Sequence, residues 1–262
     1  MTLITVDRAL YLLQHIVHQG SLTVNQAAAC VGTSRSSAQR LLSSLSSAGL
    51  IERDPDSGRF RPGDEFLRLA ARVLATTDIR RAAADSMRTL AARWREAVTL
   101  CLRLSNNHAL YFDRIPSPRR LQYVVPLGET ARLHAGSSGR AILAYMQPEE
   151  IDDALSPPLE AYTPGTLTDP TAVRETLAEI RVQGYAISYS ERIEDAVGVA
   201  APIFDAHGKP VASLLISIPL VHLDDLPDLT IVGKAVREEA DRVSLRLGWH
   251  HEDLSGSEYD SG

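Results

Sequence analysis

Two cysteines in 262 residues, Cys30 and Cys101, lie far apart and supply neither a disulfide framework nor a metal knuckle. No apolar run reaches the ~18 residues that a membrane span needs. The opening MTLITVDRALYLLQ lacks the basic segment, apolar block and cleavage site of a signal peptide, so a cytoplasmic protein with no membrane partner is expected. G-x-S-x-G is absent, as are the P-loop and the dinucleotide fingerprint. His250-His251 has no further ligands spaced for a metal. No catalytic residue, metal or cofactor is therefore expected. What is present is ordinary for globular chains, 44% hydrophobic and 23% charged, with length for two ordinary domains or one large one.

A net charge of −6 argues against nucleic acid, but the distribution is uneven. Residues 1–62 carry Arg8, Arg35, Arg40, Arg53, Arg59 and Arg61 against Asp7, Glu52, Asp54 and Asp56, a net of +2 that leaves −8 for the remainder. A mildly basic first module on an acidic second one reads as a division of labour.

Helical spacing begins at once. Leu10, Leu13, Ile16 and Val17 form one apolar face ending at Gly20. Thr23-Val-Asn-Gln26 has the form of a capping box and opens a short second helix that stops at Gly32. A third runs from Thr33 or Ser34 to about Ala48, with Gly49 after it. On this helix Ala38, Leu41, Leu42 and Leu45 make the buried stripe, opposite Ser36, Arg40, Ser43 and Ser47. No acidic residue occurs between Thr33 and Leu50, so nothing on the face would repel phosphates. For an isolated helix, a solvated serine-rich face is the simpler reading. Strand signals at Leu50–Arg53 and Arg59–Arg61 flank the turn Asp54-Pro-Asp-Ser-Gly58. A hairpin there makes a wing, and with it a winged helix-turn-helix. Arg59, near its tip, either enters a minor groove, meets a phosphate or is a plain surface arginine.

Gly63–Leu74 and Ala82–Trp94 read as two helices, connecting or opening a second domain, with the boundary near Thr77. Alternation at Val98–Leu104, Ala109–Ile115 and Leu121–Val125 predicts an antiparallel meander. His134-Ala-Gly-Ser-Ser-Gly139 is a turn that opens a helix from Arg140 to Met146. Asp169-Pro170 starts a helix to Val182, Tyr185–Tyr189 returns as strand, and Val199–Phe204 pairs with Val211–Ile218 across Asp205–Gly208. A last helix spans about Leu226–Leu247, and the tail from His250 is expected to be mobile. An antiparallel sheet with helices packed beside it is an α+β sensor-like module.

Val6-Asp-Arg-Ala-Leu10, Gly32–Leu42 and Ala48-Gly-Leu-Ile-Glu-Arg53 resemble the DNA-binding module of the IclR family of bacterial transcriptional regulators. The family's usual threonine and histidine in the recognition helix appear as Ser37 and Gln39. Gly184–Glu191 followed by Gly198–Asp205 is similar to the signature of the family's effector-binding domain, with Gly198 where a small Cys, Ser or Ala is usual. Leu133-His-Ala and Gly139–Ala144 resemble its pocket-forming turn. The likeness covers about residues 5–247. It implies an α+β chain: a winged helix-turn-helix over 1–62, a linker helix over 63–77, a GAF-like effector-binding domain over 78–249, and a tail over 250–262. It also implies a dimer, or a tetramer of two dimers, on DNA.

Carried over by position, the effector pocket maps onto Ser137, Ser138, Ser188, Gly198, Leu215 and Ser217. The residues support part of this directly. Ser137 and Ser138 sit near a helix N-terminus, where free N–H groups favour a carboxylate, unless they merely cap the helix. Leu215 and Ser217 share one face of a strand. Apolar Leu215 and bare Gly198 point to a carboxylate with a larger apolar body, such as an aromatic acid or branched amino acid, rather than glyoxylate or pyruvate. DNA contact is expected from Ser34, Arg35, Ser36, Ser37, Gln39, Arg40 and Arg59, on a palindromic operator read by a homodimer or homotetramer. The whole reads as a ligand-responsive repressor. An enzyme built on His134 beside Ser137 and Ser138, and a winged helix used only for protein contacts, are the alternatives.

Overall fold

Short-range side-chain chemistry shapes the first unit. In this computed structural model, which describes residues 4–76, 78–123 and 125–250, the chain divides into Met1–Thr77 and Asp78–Gly262. Helix α1 (Ile4–Gln19) is followed by α2 (Val24–Cys30), α3 (Arg35–Ser47), β1 (Ile51–Arg53), β2 (Phe60–Pro62) and α4 (Asp64–Thr76). The capping box at α2 forms as its spacing demands, with Gln26 N donating to Thr23 Oγ1 and Thr23 N to Gln26 Oε1. Ser34 caps α3 by accepting from Ser37 N at 3.2 Å. Ala38, Leu41, Leu42 and Leu45 are its buried stripe, packed with Leu12, Ile16, Leu22, Ala27, Ile51 and Phe60. β1 and β2 pair antiparallel, Glu52 opposite Arg61, and Leu22 bridges to Phe60.

α1 buries a different face from the one the large residues outline. Leu12 and Ile16 are fully buried and Ala9 and Leu13 flank them, while Leu10 is 52% and Val17 39% exposed. The stripe is 9-12-13-16, so Leu13 and Ile16 keep their expected place while Ala9 and Leu12 take those of Leu10 and Val17.

The second unit begins with α5 (Asp78–Trp94), four residues ahead of the expected Ala82. A six-stranded antiparallel sheet follows, in the order β5-β4-β3-β8-β7-β6. Its strands are β3 (Ala97–Arg103), β4 (His108–Ile115), β5 (Thr130–Arg132), β6 (Ala186–Tyr189), β7 (Ala196–Phe204) and β8 (Pro210–Pro219). Helices α6 (Gly136–Leu143), α7 (Pro148–Ala154) and α8 (Pro170–Gln183) lie between β5 and β6, and α9 (Leu229–Arg246) follows β8 after a 3-10 turn at Leu220–Asp225. Alternation along β7 and β8 assigns two cores. Val197, Val199, Ala201, Ile203, Leu214, Ile216 and Ile218 pack with α5 and α9; Ala200 and Leu215 pack with the α6 and α8 side. On that second face the strands carry Gly198, Ala200, Ser213 and Ser217, and small residues there leave room beneath the start of α6.

Two expectations are corrected. Residues 121–123 and 125 form no strand; the edge partner of β4 is β5. Tyr111 donates its N–H to Glu129 O and accepts from Gly128 N, so the segment leading into β5 already occupies that edge. α6 begins at Gly136 instead of Arg140, which places Ser137 and Ser138 inside its first turn with Ala135 as N-cap and no side-chain cap. They do not cap the helix. Of the expected tail, residues 251–262 lie outside the described residues. No helix among the described residues is long and apolar enough to cross a membrane.

Candidate functional site

The solvent side of α3 carries hydroxyls and cations. Arg35, Ser36, Gln39, Arg40 and Ser43 are exposed, and Ser37 is half-buried. Ser34 Oγ lies 3.0 Å from both Ser36 Oγ and Ser37 Oγ, Arg40 donates to Ser37 Oγ at 3.3 Å, and Gln39 Nε2 reaches Ser43 Oγ at 3.4 Å. No carboxylate among the described residues pairs with Arg35 or Arg40, so neither charge is neutralised within the unit.

Arg59 is placed otherwise. Its Nε donates to Ser21 Oγ at 2.8 Å and its Nη2 to Ser21 O at 3.1 Å, which ties the wing to the loop after α1. Arg59, expected at a minor groove, at a phosphate or as a plain surface arginine, is thus bonded within its own unit. Arg59→Ala should cost the first unit about 1 kcal/mol through its lost hydrogen bonds. The salt dependence of DNA binding should stay as it is, and a flatter dependence in a filter-binding titration would show that Arg59 does meet a phosphate.

In the second unit, one cavity gathers all six positions expected at the pocket: Ser137, Ser138, Ser188, Gly198, Leu215 and Ser217. Its volume is about 40 Å³, and the cleft including its open mouth is about 400 Å³. Register explains the convergence. Ser188 pairs with Gly198 across β6 and β7, and Gly198 with Ser217 across β7 and β8. Ser137 comes down from α6 onto Gly198, where an added Cβ would lie 2.4 Å from Ser137 Oγ, 3.0 Å from Ser188 Oγ and 3.3 Å from Leu215 Cδ1. The glycine is what allows α6 to approach the sheet so closely.

Electrostatics at the α6 N-terminus are partly spoken for. Gly136 N donates to Glu191 Oε2 at 3.3 Å and Ser137 N to Ser188 Oγ at 3.0 Å. Not all of the first-turn N–H groups are thus open to a ligand. Ser137 Oγ, by contrast, is buried without a hydrogen-bond partner. Glu191 is held by Arg140 through two hydrogen bonds, and Arg140 also donates to His134 O and Ile187 O. Glu194 and Asp195, which follow Glu191 within four residues, are exposed.

Periodicity missed Tyr111 and Arg192. Tyr111 lies in the lining at 3% exposure; burial pushes its phenol up to about 12, so it stays protonated and can donate. Arg192 also lies in the lining, with its guanidinium 4.3 Å over the Tyr162 ring and 3.6 Å from Glu129. It stands in the irregular stretch between β6 and β7, where no repeat pattern says which way a side chain points.

The Ser/His pair does not form. His134 Nε2 is bonded to Glu160 O at 2.9 Å, and burial, opposed by that hydrogen bond, pushes its pKa below the ordinary range. Neither nitrogen bonds to Ser137 or Ser138. Burial likewise raises the Cys101 thiol to about 12, against hydrogen bonds with Ser138 and Ser213, so it is no nucleophile. Among the described residues no group of His, Cys, Asp and Glu is clustered to hold a metal.

Comparison with known proteins agrees with both halves. Residues 71–245 match the family described as bacterial transcriptional regulator IclR C-terminal, and residues 5–55 match the IclR helix-turn-helix domain. The chain is 30% identical over 248 residues to the HTH-type transcriptional regulator KipR of Bacillus subtilis, covering 94% of this chain and 97% of that protein. It is 28% identical over 247 residues to the transcriptional repressor IclR of Escherichia coli, with 93% and 90% covered. A crystal structure of an IclR homolog complexed with 4-hydroxybenzoate, from Microbacterium hydrocarbonoxydans, superposes with a TM-score of 0.80 at 28% identity over 93% of this chain and 98% of that one. The first two are named as a transcriptional regulator and a transcriptional repressor. With a winged helix whose outer face is free of acid and a sheet domain that encloses a serine-lined cavity, the chain belongs to the IclR family of DNA-binding transcriptional regulators.

Proposed function

We propose that this regulator is a repressor whose operator affinity changes when a carboxylate-bearing metabolite with an apolar body occupies the cavity under α6. The observation that carries this reading is Ser137 Oγ, buried in the first helical turn without a partner and lining a cavity with Ser188 and Ser217. A carboxylate oxygen supplies the missing acceptor, the helix dipole favours its charge, and Arg192 in the lining adds a cation. Leu215, Ile193 and Val125 give the rest of the wall its apolar character. The Microbacterium homolog that binds 4-hydroxybenzoate, an aromatic acid, supports this class.

Homodimers, alone or as pairs, are proposed to hold a palindromic operator, because one winged helix buries too little surface for a specific site. Val6, Leu10 and Tyr11 on α1, each about half exposed, offer apolar surface for self-association. Repression is the sense carried by the names of relatives such as the Escherichia coli repressor.

Calorimetric titration with aromatic and branched carboxylates beside glyoxylate and pyruvate tests the ligand class. The larger acids should bind and raise the melting temperature by mass action, about 2.7 kcal/mol at a hundredfold excess over Kd. Tight binding of glyoxylate or pyruvate with none of the larger acids would overturn it.

A further inference from the structure

A second cleft, of about 370 Å³, lies in the DNA-binding unit between the start of α1 and the outer side of α3. Thr5 and Arg8 line it from α1, Thr33 from the turn, and Ser37, Arg40, Leu41 and Ser44 from α3. Its polar lining is hydroxyl and guanidinium only. Arg8 has no hydrogen-bond or ion-pair partner among the described residues, and the side-chain bond of Arg40 is to Ser37. Two guanidinium groups from different helices thus share one cleft without a counter-charge. Among the described residues no carboxylate lines the cleft beside them, and the hydroxyls on either side are donors suited to phosphate oxygens.

We infer that this cleft seats a stretch of DNA sugar-phosphate backbone, with Arg8 and Arg40 each neutralising one phosphate, so that Arg40 positions the duplex and does not read it. Reading of base edges then falls to the neighbouring side of α3, where Arg35, Ser36 and Gln39 are exposed. The sequence places Arg8 in the basic first module, and the fold joins it to Arg40 through the packing of α1 on α3.

The test uses the full-length protein and two duplexes, a 30-base-pair mixed-sequence DNA and the sequence that the protein itself selects from a random pool. Arg8→Ala should weaken both by the same factor and flatten the plot of log K against log salt by about 0.9 per bound subunit, the loss of one phosphate contact. Arg40→Ala should do the same. Arg8→Lys keeps the charge and should restore the slope; Arg8→Gln keeps most of the stem and should behave as alanine does, which serves if the alanine variant folds poorly. Selection with the Arg8 and Arg40 variants should return an unchanged consensus. An undiminished salt slope, or a consensus altered at any base, would overturn the inference.

Discussion

Arg140→Ala should destabilise the second unit by about 3–5 kcal/mol, the range for breaking a buried ion pair from one side. Arg140 is 1% and Glu191 7% exposed, so solvent does little to screen either charge. The arginine donates to both oxygens of Glu191 and to the carbonyls of His134 and Ile187. Its removal leaves a buried carboxylate with the weaker support of Gly136 N and strips two carbonyls of a donor. Both tryptophans, Trp94 and Trp249, lie in the second unit, so their fluorescence during urea unfolding follows that unit. A loss under about 1 kcal/mol, the ceiling for an exposed pair, would mean that water reaches the site. The paired replacement Arg140→Met with Glu191→Leu should recover much of the loss, because it removes both desolvated charges together.

Gly198→Ala should weaken effector binding by one to two orders of magnitude while operator affinity without effector is retained. The new methyl would stand 2.4 Å from Ser137 Oγ, well inside contact distance, with Ser188 Oγ at 3.0 Å and Leu215 Cδ1 at 3.3 Å behind it. Ser137 must rotate or α6 must lift, and overpacking of this kind costs about 1–3 kcal/mol. Either movement takes the unpartnered hydroxyl out of its place above β7. Titration of the tightest-binding carboxylate into both proteins reads the effect. Equal affinities would remove Ser137 and Gly198 from the binding site. The first unit contains none of these residues, so a parallel loss of DNA affinity without effector would instead point to general unfolding.

The winged helix was legible because its signals are local. A capping box at Thr23 and Gln26, a stripe at Ala38, Leu41, Leu42 and Leu45, and a Pro-Asp-Ser-Gly turn between two short strands each depend on neighbours within a few residues. Where such signals are weak, sequence pattern and fold diverge. Leu121–Val125 alternates like a strand, yet the chain reaches the sheet edge only at Thr130 because Tyr111 pairs with Gly128 and Glu129. On α1 large apolar residues lie on more than one side, and packing selects Leu12 over Leu10 and Val17. The six positions at the cavity came from resemblance together with strand alternation. Tyr111 and Arg192 carry no local mark and came only from the fold.

Spacing along the chain determined which side chains share a face, and so the two modules, the acid-free side of α3 and the alternating strands. It did so because helix and strand repeats are set by backbone geometry and need no knowledge of neighbours. Tertiary structure decided which faces meet. β8 lies between β3 and β7, which brings Ser217 beside Gly198, and the early start of α6 lowers Ser137 onto that glycine. Arg140 finds Glu191 across 51 residues, and Arg59 finds Ser21 across 38. Such pairings depend on strand order and helix docking, which arise from the packing of whole elements and leave no periodic trace in the sequence.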